Sequence, residues 1–236
     1  MPVAVRPPND PRQYDDLVDV WWDPDGSLAP LHWLAVARGA LVPHASRPGA
    51  VLVDVGCGGG LTAPHVAGKG YRHVGVDIGG IAASVARDHG VLSVQGDAHH
   101  LPVGTATADV VVAGEILEHV TDLPTVVGEI VRVLRPGGTV VVDTLADTRT
   151  CRFLMVTLAE RVGVVPAGIH DPALFVPPAR LVELFAAHGL RLRLRGLRPS
   201  LTQGLAWLAG RRRDVTMRRT RFTGVVYQGI ATGAAA

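Results

Sequence analysis

A short segment near residue 50 constrains the fold of this chain more than any other. Residues 51–60 read Val-Leu-Val-Asp-Val-Gly-Cys-Gly-Gly-Gly, an apolar run that contains one acid and then opens into glycines. Such a run is typical of a buried parallel strand, and glycines allow the backbone to approach a ligand with no Cβ in between. Residues 61–69 follow as a predicted helix. The segment therefore predicts the strand, glycine turn and helix with which α/β proteins hold nucleotide-like cofactors.

The spacing of these glycines separates two kinds of cofactor site. A dinucleotide fingerprint has glycine at its first, third and sixth positions, whereas here Gly56 and Gly58 are followed by Leu61 at the sixth. An acid stands two residues before the first glycine, which gives the pattern Asp54-x-Gly56-x-Gly58-x-Gly60. This pattern resembles motif I of the class I S-adenosylmethionine-dependent methyltransferases, in which the loop lies against the amino acid end of the cofactor.

Strand-like and helix-like segments alternate along most of the chain. Strands are predicted at residues 50–55, 73–76, 91–95, 109–113, 139–143, 190–197 and 222–230, and helices at 61–69, 80–89, 122–134 and 178–189. This alternation is typical of an α/β protein with a doubly wound parallel sheet. The resemblance implies a Rossmann-like sheet of seven strands, mostly parallel, with an antiparallel last strand at its edge. We expect an N-terminal helical lid over residues 1–47 and a cofactor-binding domain over 48–236, with an insert at about 148–171.

Composition excludes several classes of protein. The 236 residues, 47% of them hydrophobic, can bury one core, and the N-terminus lacks the apolar region of a signal peptide. No run approaches the ~20 apolar residues of a spanning helix, and Cys57 and Cys151 form neither a disulfide framework nor a CxxC metal site. We therefore expect a cytoplasmic protein. Ten arginines and one aspartate in residues 191–221 make that stretch strongly basic, although the net charge of the chain is only +2.

Acids follow two further predicted strands, at the edge where such sheets bind ligands. Asp77, with Ile78 beside it, ends the second strand and can accept hydrogen bonds from both hydroxyls of a ribose. Asp97 and Ala98 stand in Gly-Asp-Ala-His-His-Leu-Pro, which resembles the adenine-binding motif of class I methyltransferases. Each acid alone could merely cap a helix or turn. The ordered set favours S-adenosylmethionine over a nicotinamide dinucleotide.

Three stretches resemble one subfamily, the O-methyltransferases of ubiquinone biosynthesis. They are Trp-Trp-Asp-Pro-Asp-Gly at 21–26 with Pro-Leu-His at 30–32 and Arg38, Glu-Ile-Leu-Glu-His-Val at 115–120, and Gly-Ile-His-Asp at 168–171 with Phe175-Val176 and Pro178-Ala179. The resemblance implies that Arg38, Gly56 and Asp77 help to hold the cofactor. The family usually has Arg-Ile-Asn where this chain has residues 33–35. It often has a methionine near the adenosine where this chain has Gly114, which we expect to line the cofactor site without that packing.

The acceptor chemistry is predicted from residues that follow the fourth strand. Methyl transfer to a phenol oxygen requires alignment, exclusion of water and removal of the phenol proton. Glu115, Glu118 and His119 would share one face of a helix and could bind Mg²⁺, which would chelate a catechol and acidify its hydroxyl. The resemblance to the quinone methyltransferases implies that these three residues bind Mg²⁺. Alternatively, His119 is a metal-free general base, or the acids only favour a helix N-terminus. Catalysis is assigned to Glu115, His119 and, from the resemblance, His170.

These residues are compatible with several functions. The favoured one is S-adenosylmethionine-dependent methylation of a hydroxyl on a quinone, catechol or related aromatic. The alternatives are methylation of a soluble natural product at a phenol or sugar hydroxyl, and a non-catalytic S-adenosylmethionine-binding protein. A dehydrogenase is the least favoured, because of Leu61 and the Gly-Asp-Ala segment at 96–98.

Membrane contact is predicted from a stripe of apolar residues in the insert. In a regular helix over 151–165 the stripe would comprise Leu154, Met155, Leu158, Val162 and Val165. Such a stripe is either an ordinary core face or an interfacial helix that meets lipid. The corresponding insert of the ubiquinone enzymes is linked with lipid binding, and the arginines of 191–221 would attract anionic headgroups. We expect peripheral membrane contact and no nucleic-acid binding, since no aromatic residues interleave with those arginines.

Overall fold

The predicted alternation of strands and helices is present as a doubly wound α/β sheet. The computed structural model of the protein describes residues 6–233. Its strands are β1 Val51–Val55, β2 Arg72–Asp77, β3 Leu92–Gln95, β4 Ala108–Gly114, β5 Leu134–Leu145, β6 Arg193–Pro199, β7 Met217–Thr220 and β8 Val226–Thr232. They form one sheet in the order β3-β2-β1-β4-β5-β8-β6-β7, in which β1 to β5 are parallel.

The helices lie close to their predicted positions, although several are short. They are α1 Arg12–Asp16, α2 Ala29–Gly39, α3 Ala63–Val66, α4 Gly80–Asp88, α5 Leu123–Val133, α6 Arg149–Cys151, α7 Pro178–Ala187 and α8 Leu201–Leu208. The helix predicted at 61–69 reaches only Val66 and continues as a 3₁₀ turn, Ala67–Lys69. Gly70 follows at φ +84°, a left-handed conformation that suits glycine and ends the turn before β2.

The parallel strands are buried on both faces, which explains their continuous apolar sequences. Val53 and Val55 of β1 belong to a core cluster that includes Ile130 of α5 and Phe185 of α7. Leu52, on the opposite face of the same strand, belongs to a second cluster with Val42 and Val66. Successive residues of a strand therefore contact different helix layers. The carboxyl ends of these strands are thereby held at one edge of a rigid sheet.

The C-terminal strands differ from the prediction in number and in order. β8 pairs antiparallel with β5 along 139–145 and also with β6, so it lies inside the sheet. The edge is formed by β7, an additional strand that pairs antiparallel with β6. The predicted count of seven strands and the predicted edge position of the last strand are therefore wrong. The sequence Met-Arg-Arg-Thr of β7 lacks the apolar alternation of a half-buried strand, although its arginines suit an exposed edge.

Two chain segments that are far apart in sequence meet above the carboxyl ends of the parallel strands. Residues 7–22 contain α1 and a 3₁₀ turn, Val18–Val20. The backbone N–H of Asn9 donates to the carbonyl of Gly168 at 3.2 Å, and the side-chain amide of Gln13 donates to the same carbonyl at 3.1 Å. The N-terminal segment is thus bonded directly to the insert.

The insert does not form the regular helix from which its apolar stripe was predicted. A π-helix, Arg152–Ala159, continues α6 and changes the angle between successive side chains. Met155 packs against a core cluster that contains Leu145, whereas Phe153 and Val162 are 58% and 60% exposed. The predicted single stripe is therefore wrong. No helix within residues 6–233 is long and apolar enough to cross a bilayer.

Candidate active site

A single cavity at the carboxyl ends of β1, β2 and β4 brings the predicted site residues together. Nine of the ten residues predicted to hold a cofactor line this cavity, and Gly60 is the exception. Glu115, His119 and His170, predicted to be catalytic, line it as well. Side chains from the N-terminal segment, among them Tyr14 and Trp21, complete its wall. The cavity thus has a side made by the strand ends and a side made by His119, His170 and the covering segments.

The glycine loop is packed so closely that side chains would not fit at two of its positions. Gly56 and Gly58 have φ angles of +67° and +49°. A Cβ at Gly56 would lie 2.7 Å from the Cβ of Ile116, and one at Gly58 would overlap the indole of Trp21. Gly60, at φ +84°, lies instead against α4. Its predicted cofactor contact is therefore corrected to a role in turning the chain behind the loop.

Two tryptophans fix the N-terminal segment onto this loop. Trp21 is only 6% exposed, and its carbonyl accepts a hydrogen bond from Nε2 of His32 at 2.8 Å. The indole N–H of Trp22 donates to the carbonyl of Gly59 at 3.0 Å, and its ring stacks on His89 with a centroid distance of 3.7 Å. The tryptophan-rich motif noted in the sequence therefore closes the cavity over the glycines.

Asp54 and Asp77 lie at the ends of neighbouring strands, where Asp54 is buried and Asp77 partly buried. Asp77 accepts hydrogen bonds from the backbone N–H groups of Gly58 and Gly79, both at 2.8 Å. Burial raises the pKa of Asp77, and these two backbone bonds partly offset that effect. Asp54 is 2% exposed and lies 3.2 Å from Nε2 of His73. Each carboxylate oxygen of Asp77 uses one lone pair on the loop, which leaves acceptor capacity for a diol.

The end of β3 presents a more exposed acid. Asp97 accepts a hydrogen bond from the backbone N–H of His99 at 2.8 Å, and the same oxygen lies 2.7 Å from the ring Nδ1. These bonds lower the pKa of Asp97 and keep it ionised. Ala98 begins the 3₁₀ turn that Asp97 caps. Ile78, 52% exposed, lines the cavity and offers it an apolar surface.

Arg38 reaches the cavity from α2 as one half of a buried ion pair. Its Nε and Nη2 donate to the two carboxylate oxygens of Asp143, each at 2.7 Å, and its Nη1 donates to Oγ1 of Thr62 at 3.2 Å. Burial opposes the charge of the guanidinium, but Asp143 outweighs it and raises the pKa of Arg38. A Cβ at Gly114 would overlap this guanidinium. The glycine that departs from the family pattern therefore makes room for the ion pair.

The residues predicted to bind a metal do not lie on one face of a helix. Glu115 has a left-handed φ of +52°, and only Leu117–His119 forms a 3₁₀ turn. Glu118 is fully buried, accepts a hydrogen bond from Oγ1 of Thr144 at 2.7 Å and does not line the cavity. Within residues 6–233 no group of three or more histidines, cysteines or acids is placed to hold a metal ion. The helical-face argument for Mg²⁺ at Glu115, Glu118 and His119 is therefore wrong.

His119 is held by two residues of the N-terminal segment. Its Nε2 lies 2.9 Å from the hydroxyl of Tyr14, and its Nδ1 is hydrogen-bonded to the side-chain oxygen of Asn9. The amide nitrogen of Asn9 also donates to the carbonyl of His119 at 3.0 Å, which orients the amide. The Nδ1 atom therefore carries the proton and Nε2 accepts from Tyr14. Burial, with a smaller contribution from His170, lowers the pKa of His119 to about 3.

His170 lies beside His119 but is held differently. The two rings stack with a centroid distance of 5.6 Å, and Phe175 contacts His170 edge-on at 6.0 Å. Its Nδ1 is buried without a hydrogen bond and lies 3.8 Å from Oε1 of Glu160, which is unpaired as well. Glu160, Asn9 and Tyr14 stand outside the motifs of the sequence, and each reaches the site only through tertiary contact.

Comparisons with known proteins agree with this geometry. Residues 53–142 match a family described as a methyltransferase domain. The ubiquinone biosynthesis O-methyltransferase of Burkholderia thailandensis is 34% identical over 194 residues, which span 78% of this chain and 84% of that protein. The protein of the same name from Vibrio cholerae is 32% identical over 187 residues, 75% of this chain and 76% of that protein.

Solved structures show the same fold at low sequence identity. A methyltransferase from Thermotoga maritima, described as a possible histamine N-methyltransferase, superposes with a TM-score of 0.68 at 17% identity over 93% of this chain and 96% of that one. A chain from the solved complex between the Haloferax volcanii Trm112 methyltransferase activator and a methyltransferase superposes with a TM-score of 0.66 at 18% identity. The match covers 98% of this chain and 100% of that one. The sheet, the cavity and the sequence relatives agree: the chain belongs to the ubiquinone-biosynthesis O-methyltransferase family of class I S-adenosylmethionine-dependent methyltransferases.

Proposed function

We propose that the protein methylates a hydroxyl of a quinol- or catechol-like aromatic. Support for this acceptor comes from the relatives named ubiquinone biosynthesis O-methyltransferase. The observation that carries the proposal is the stacked pair His119 and His170, which lines the same cavity as the predicted cofactor residues. An imidazole at such a place can take the proton that a hydroxyl loses when it is methylated.

We assign the cofactor to the strand-end side of the cavity. Bound S-adenosylmethionine would supply the methyl group from its sulfonium. Asp77 has acceptor capacity for both ribose hydroxyls, and Asp97, Ala98 and Ile78 offer polar and apolar contacts for an adenine ring. The glycine loop offers backbone to the amino acid end.

Three further residues border the amino acid end in this proposal. Asp54 presents a buried carboxylate that can receive an ammonium group. Arg38 supplies a positive charge, which Asp143 fixes in place, and Gly114 leaves room for that guanidinium. The assignment explains why this pair lies beside the glycine loop and not at the surface.

We assign proton removal to His170. His119 already uses both ring nitrogens, on Asn9 and Tyr14, and its low pKa makes it a weak base. His170 has no such bonds in the described residues and lines the cavity. Glu115 also faces the cavity; burial, followed by the charge of Glu118, raises its pKa well above the usual range. The raised pKa favours the neutral carboxyl of Glu115, which can donate a hydrogen bond to the methyl acceptor.

No step of this proposal passes through a metal ion. The two ring nitrogens of His119 are bonded to protein, and Glu118 is turned towards Thr144 instead of the cavity. The donor set that Mg²⁺ would require is therefore not assembled by these residues. Activity that persists in EDTA is the expected outcome of an assay in which S-adenosylhomocysteine release is measured.

We also propose that the N-terminal segment is a lid and that the insert meets an anionic membrane surface. The exposed apolar side chains Phe153, Leu158 and Val162 in the insert are the observation that favours lipid contact. Flotation with phosphatidylglycerol vesicles should retain the protein, and F153Q/V162Q should lose that retention. The control is L92Q, which alters an equally exposed apolar residue on β3. Equal retention of both variants, or none for the native protein, would contradict membrane contact through this surface.

The acceptor is tested by S-adenosylhomocysteine release with a panel of catechols, quinols, soluble phenols and sugars. Turnover with catechols and quinols is expected. Turnover confined to soluble phenols or sugars would favour natural-product methylation. Binding of S-adenosylmethionine without any release would favour a non-catalytic binding protein, and the proposal would then be wrong.

A further inference from the structure

We propose that Glu160, which lies in the insert, is a positioning residue that sets the tautomer and orientation of His170. The inference rests on the proposed function, in which His170 takes the proton of the acceptor hydroxyl. In this arrangement Glu160 accepts the Nδ1–H of His170, and Nε2 faces the cavity with its lone pair free.

The carboxylate of Glu160 is fixed by one oxygen and free at the other. Its Oε2 accepts a hydrogen bond from the backbone N–H of Gly168 at 2.9 Å. Its Oε1 is buried without a partner and lies 3.8 Å from Nδ1 of His170, which is also buried without a partner. The side chains of Glu160 and His170 are only 12% and 8% exposed. Two complementary unpaired atoms therefore face each other across a gap slightly longer than a hydrogen bond.

Physical chemistry favours closure of this gap. A buried polar atom without a partner costs about 1–3 kcal/mol, and here each atom can satisfy the other. Catalytic hydrogen bonds are commonly long before the substrate binds and tighten afterwards. Phe175, 3% exposed, and His119 contact the ring of His170 and restrict its plane. These contacts hold the plane of the ring, and in that plane Nδ1 faces Glu160.

The same segment links His170 to the lid. Gly168 donates its N–H to Glu160, while its carbonyl accepts from the backbone of Asn9 and the side chain of Gln13. Glu160 is therefore tied through one residue to the N-terminal segment that holds His119. This explains why an acid of the insert lies beside His170 with its side chain only 12% exposed.

The proton and electron balance of the step is simple. The acceptor O–H bond breaks as the proton passes to Nε2 of His170. The oxygen lone pair forms the new O–CH₃ bond, and the S–CH₃ bond breaks so that its electron pair returns to sulfur. Glu160 accepts a hydrogen bond from the Nδ1–H of His170 throughout and stabilises the imidazolium that forms. The proton then leaves His170 for solvent.

The first test is the tautomer of His170, read from long-range ¹H–¹⁵N NMR spectra in which H170Q identifies its signals. We expect a proton on Nδ1 in the native protein. In E160Q the single carbonyl oxygen stays on Gly168 and the amide N–H₂ faces His170, so the proton should move to Nε2. E160L removes the acceptor and should also lose the Nδ1–H preference. E183Q, on the exposed surface of α7, is the matched control and should leave the tautomer unchanged.

The second test is a double-mutant cycle in which kcat and KM are measured with a catechol acceptor. E160Q should lower kcat roughly 10²-fold, the lower end of what a positioned proton acceptor contributes, with the KM for S-adenosylmethionine unchanged. E160D keeps both oxygens and should recover part of the loss. The double variant E160Q/H170Q should be no slower than H170Q, because Glu160 acts only through His170.

The outcomes separate this inference from the proposed function. An Nδ1–H tautomer that survives in both E160Q and E160L would overturn the role of Glu160, as would additive losses in the double variant. If the native protein methylates no acceptor, the proposed function fails, and the NMR spectra still decide whether Glu160 sets the tautomer of His170.

Discussion

The two sides of the cavity are built in different ways. On the strand-end side, the acids at the ends of β2 and β3 bond to nearby backbone, as Asp77 does to Gly58 and Gly79. On the histidine side, His119 bonds to Tyr14 and Asn9, which are more than 100 residues away along the chain. The acids of the first side are therefore fixed by strands and turns, whereas the second side exists only when the N-terminal segment, the turn at 117–119 and the insert have come together.

The two sides also differ in how well their polar atoms are paired. The carboxylate oxygens of Asp77 and Asp97 that face the loops accept backbone hydrogen bonds. Among the described residues that line the cavity, two atoms on the histidine side are buried without partners, Oε1 of Glu115 and Nδ1 of His170, whereas the strand-end side has one, Nε2 of His99. Unpaired buried groups are costly and are concentrated at reactive sites. The difference is consistent with the proposal that one side holds the cofactor and the other takes up a proton.

The largest effect is expected from the two histidines. His170→Gln should lower kcat by roughly 10²- to 10⁴-fold, the usual contribution of a general base, without changing the affinity for S-adenosylmethionine. His119→Gln should have a clearly smaller effect, because His119 is held in place by Asn9 and Tyr14. Single-turnover kinetics and calorimetry measure the two quantities. A greater loss in the His119 variant would reverse the assignment of the base.

A substitution of Asp77 should weaken cofactor binding on the strand-end side. Asp77→Ala should weaken S-adenosylmethionine binding about 100-fold or more, since two charge-assisted hydrogen bonds to the ribose are lost, each contributing about 1.5–3 kcal/mol. Calorimetric titration measures the affinity, and Asp88→Ala, at the exposed end of α4, is the control. Unchanged affinity in the Asp77 variant would contradict the assignment of the ribose.

The boundary between the two sides is tested at Gly114. In Gly114→Ala the new methyl group would overlap the guanidinium of Arg38 and separate it from Asp143, so the free energy of unfolding should fall by about 3 kcal/mol. Urea denaturation measures the change. Gly128→Ala is the matched control: its Cβ would point into open space on α5, and alanine should stabilise that helix by up to about 1 kcal/mol. Equal stability of the two variants would show that the ion pair tolerates displacement.

The smallest expected effect is a dependence of the free energy of unfolding on pH, caused by Glu118. Burial raises the pKa of Glu118 to about 6 from an ordinary 4.5, so the native state binds this proton more tightly than the unfolded chain does. The free energy of unfolding should therefore fall as the pH rises from 4.5 to 6, by about 2 kcal/mol. Glu118→Gln should flatten this part of the profile, which urea denaturation at several pH values measures. A profile identical to that of the native protein would mean that Glu118 does not titrate there.

The sequence predicted the strand-end side well, because its residues stand in motifs tied to strand ends. Asp54, Gly56, Gly58, Asp77 and Asp97 all line the cavity where the parallel strands place them. The prediction failed where a local conformation departed from a regular helix. The positive φ at Glu115 and the π-helix at Arg152–Ala159 both result from surroundings that helical spacing does not encode.

The sequence by itself determined the α/β fold class and the strand ends at which the predicted cofactor residues stand, because hydrophobic periodicity and turn glycines act over a few residues. Only the tertiary structure decided that β8 lies inside the sheet, that Gly114 accommodates the Arg38–Asp143 pair, and that Glu160 faces His170. The first two contacts join residues far apart in the chain, whereas Glu160 and His170 belong to the same insert. They form only because the packed core holds the lid, the insert and the strand ends at fixed distances.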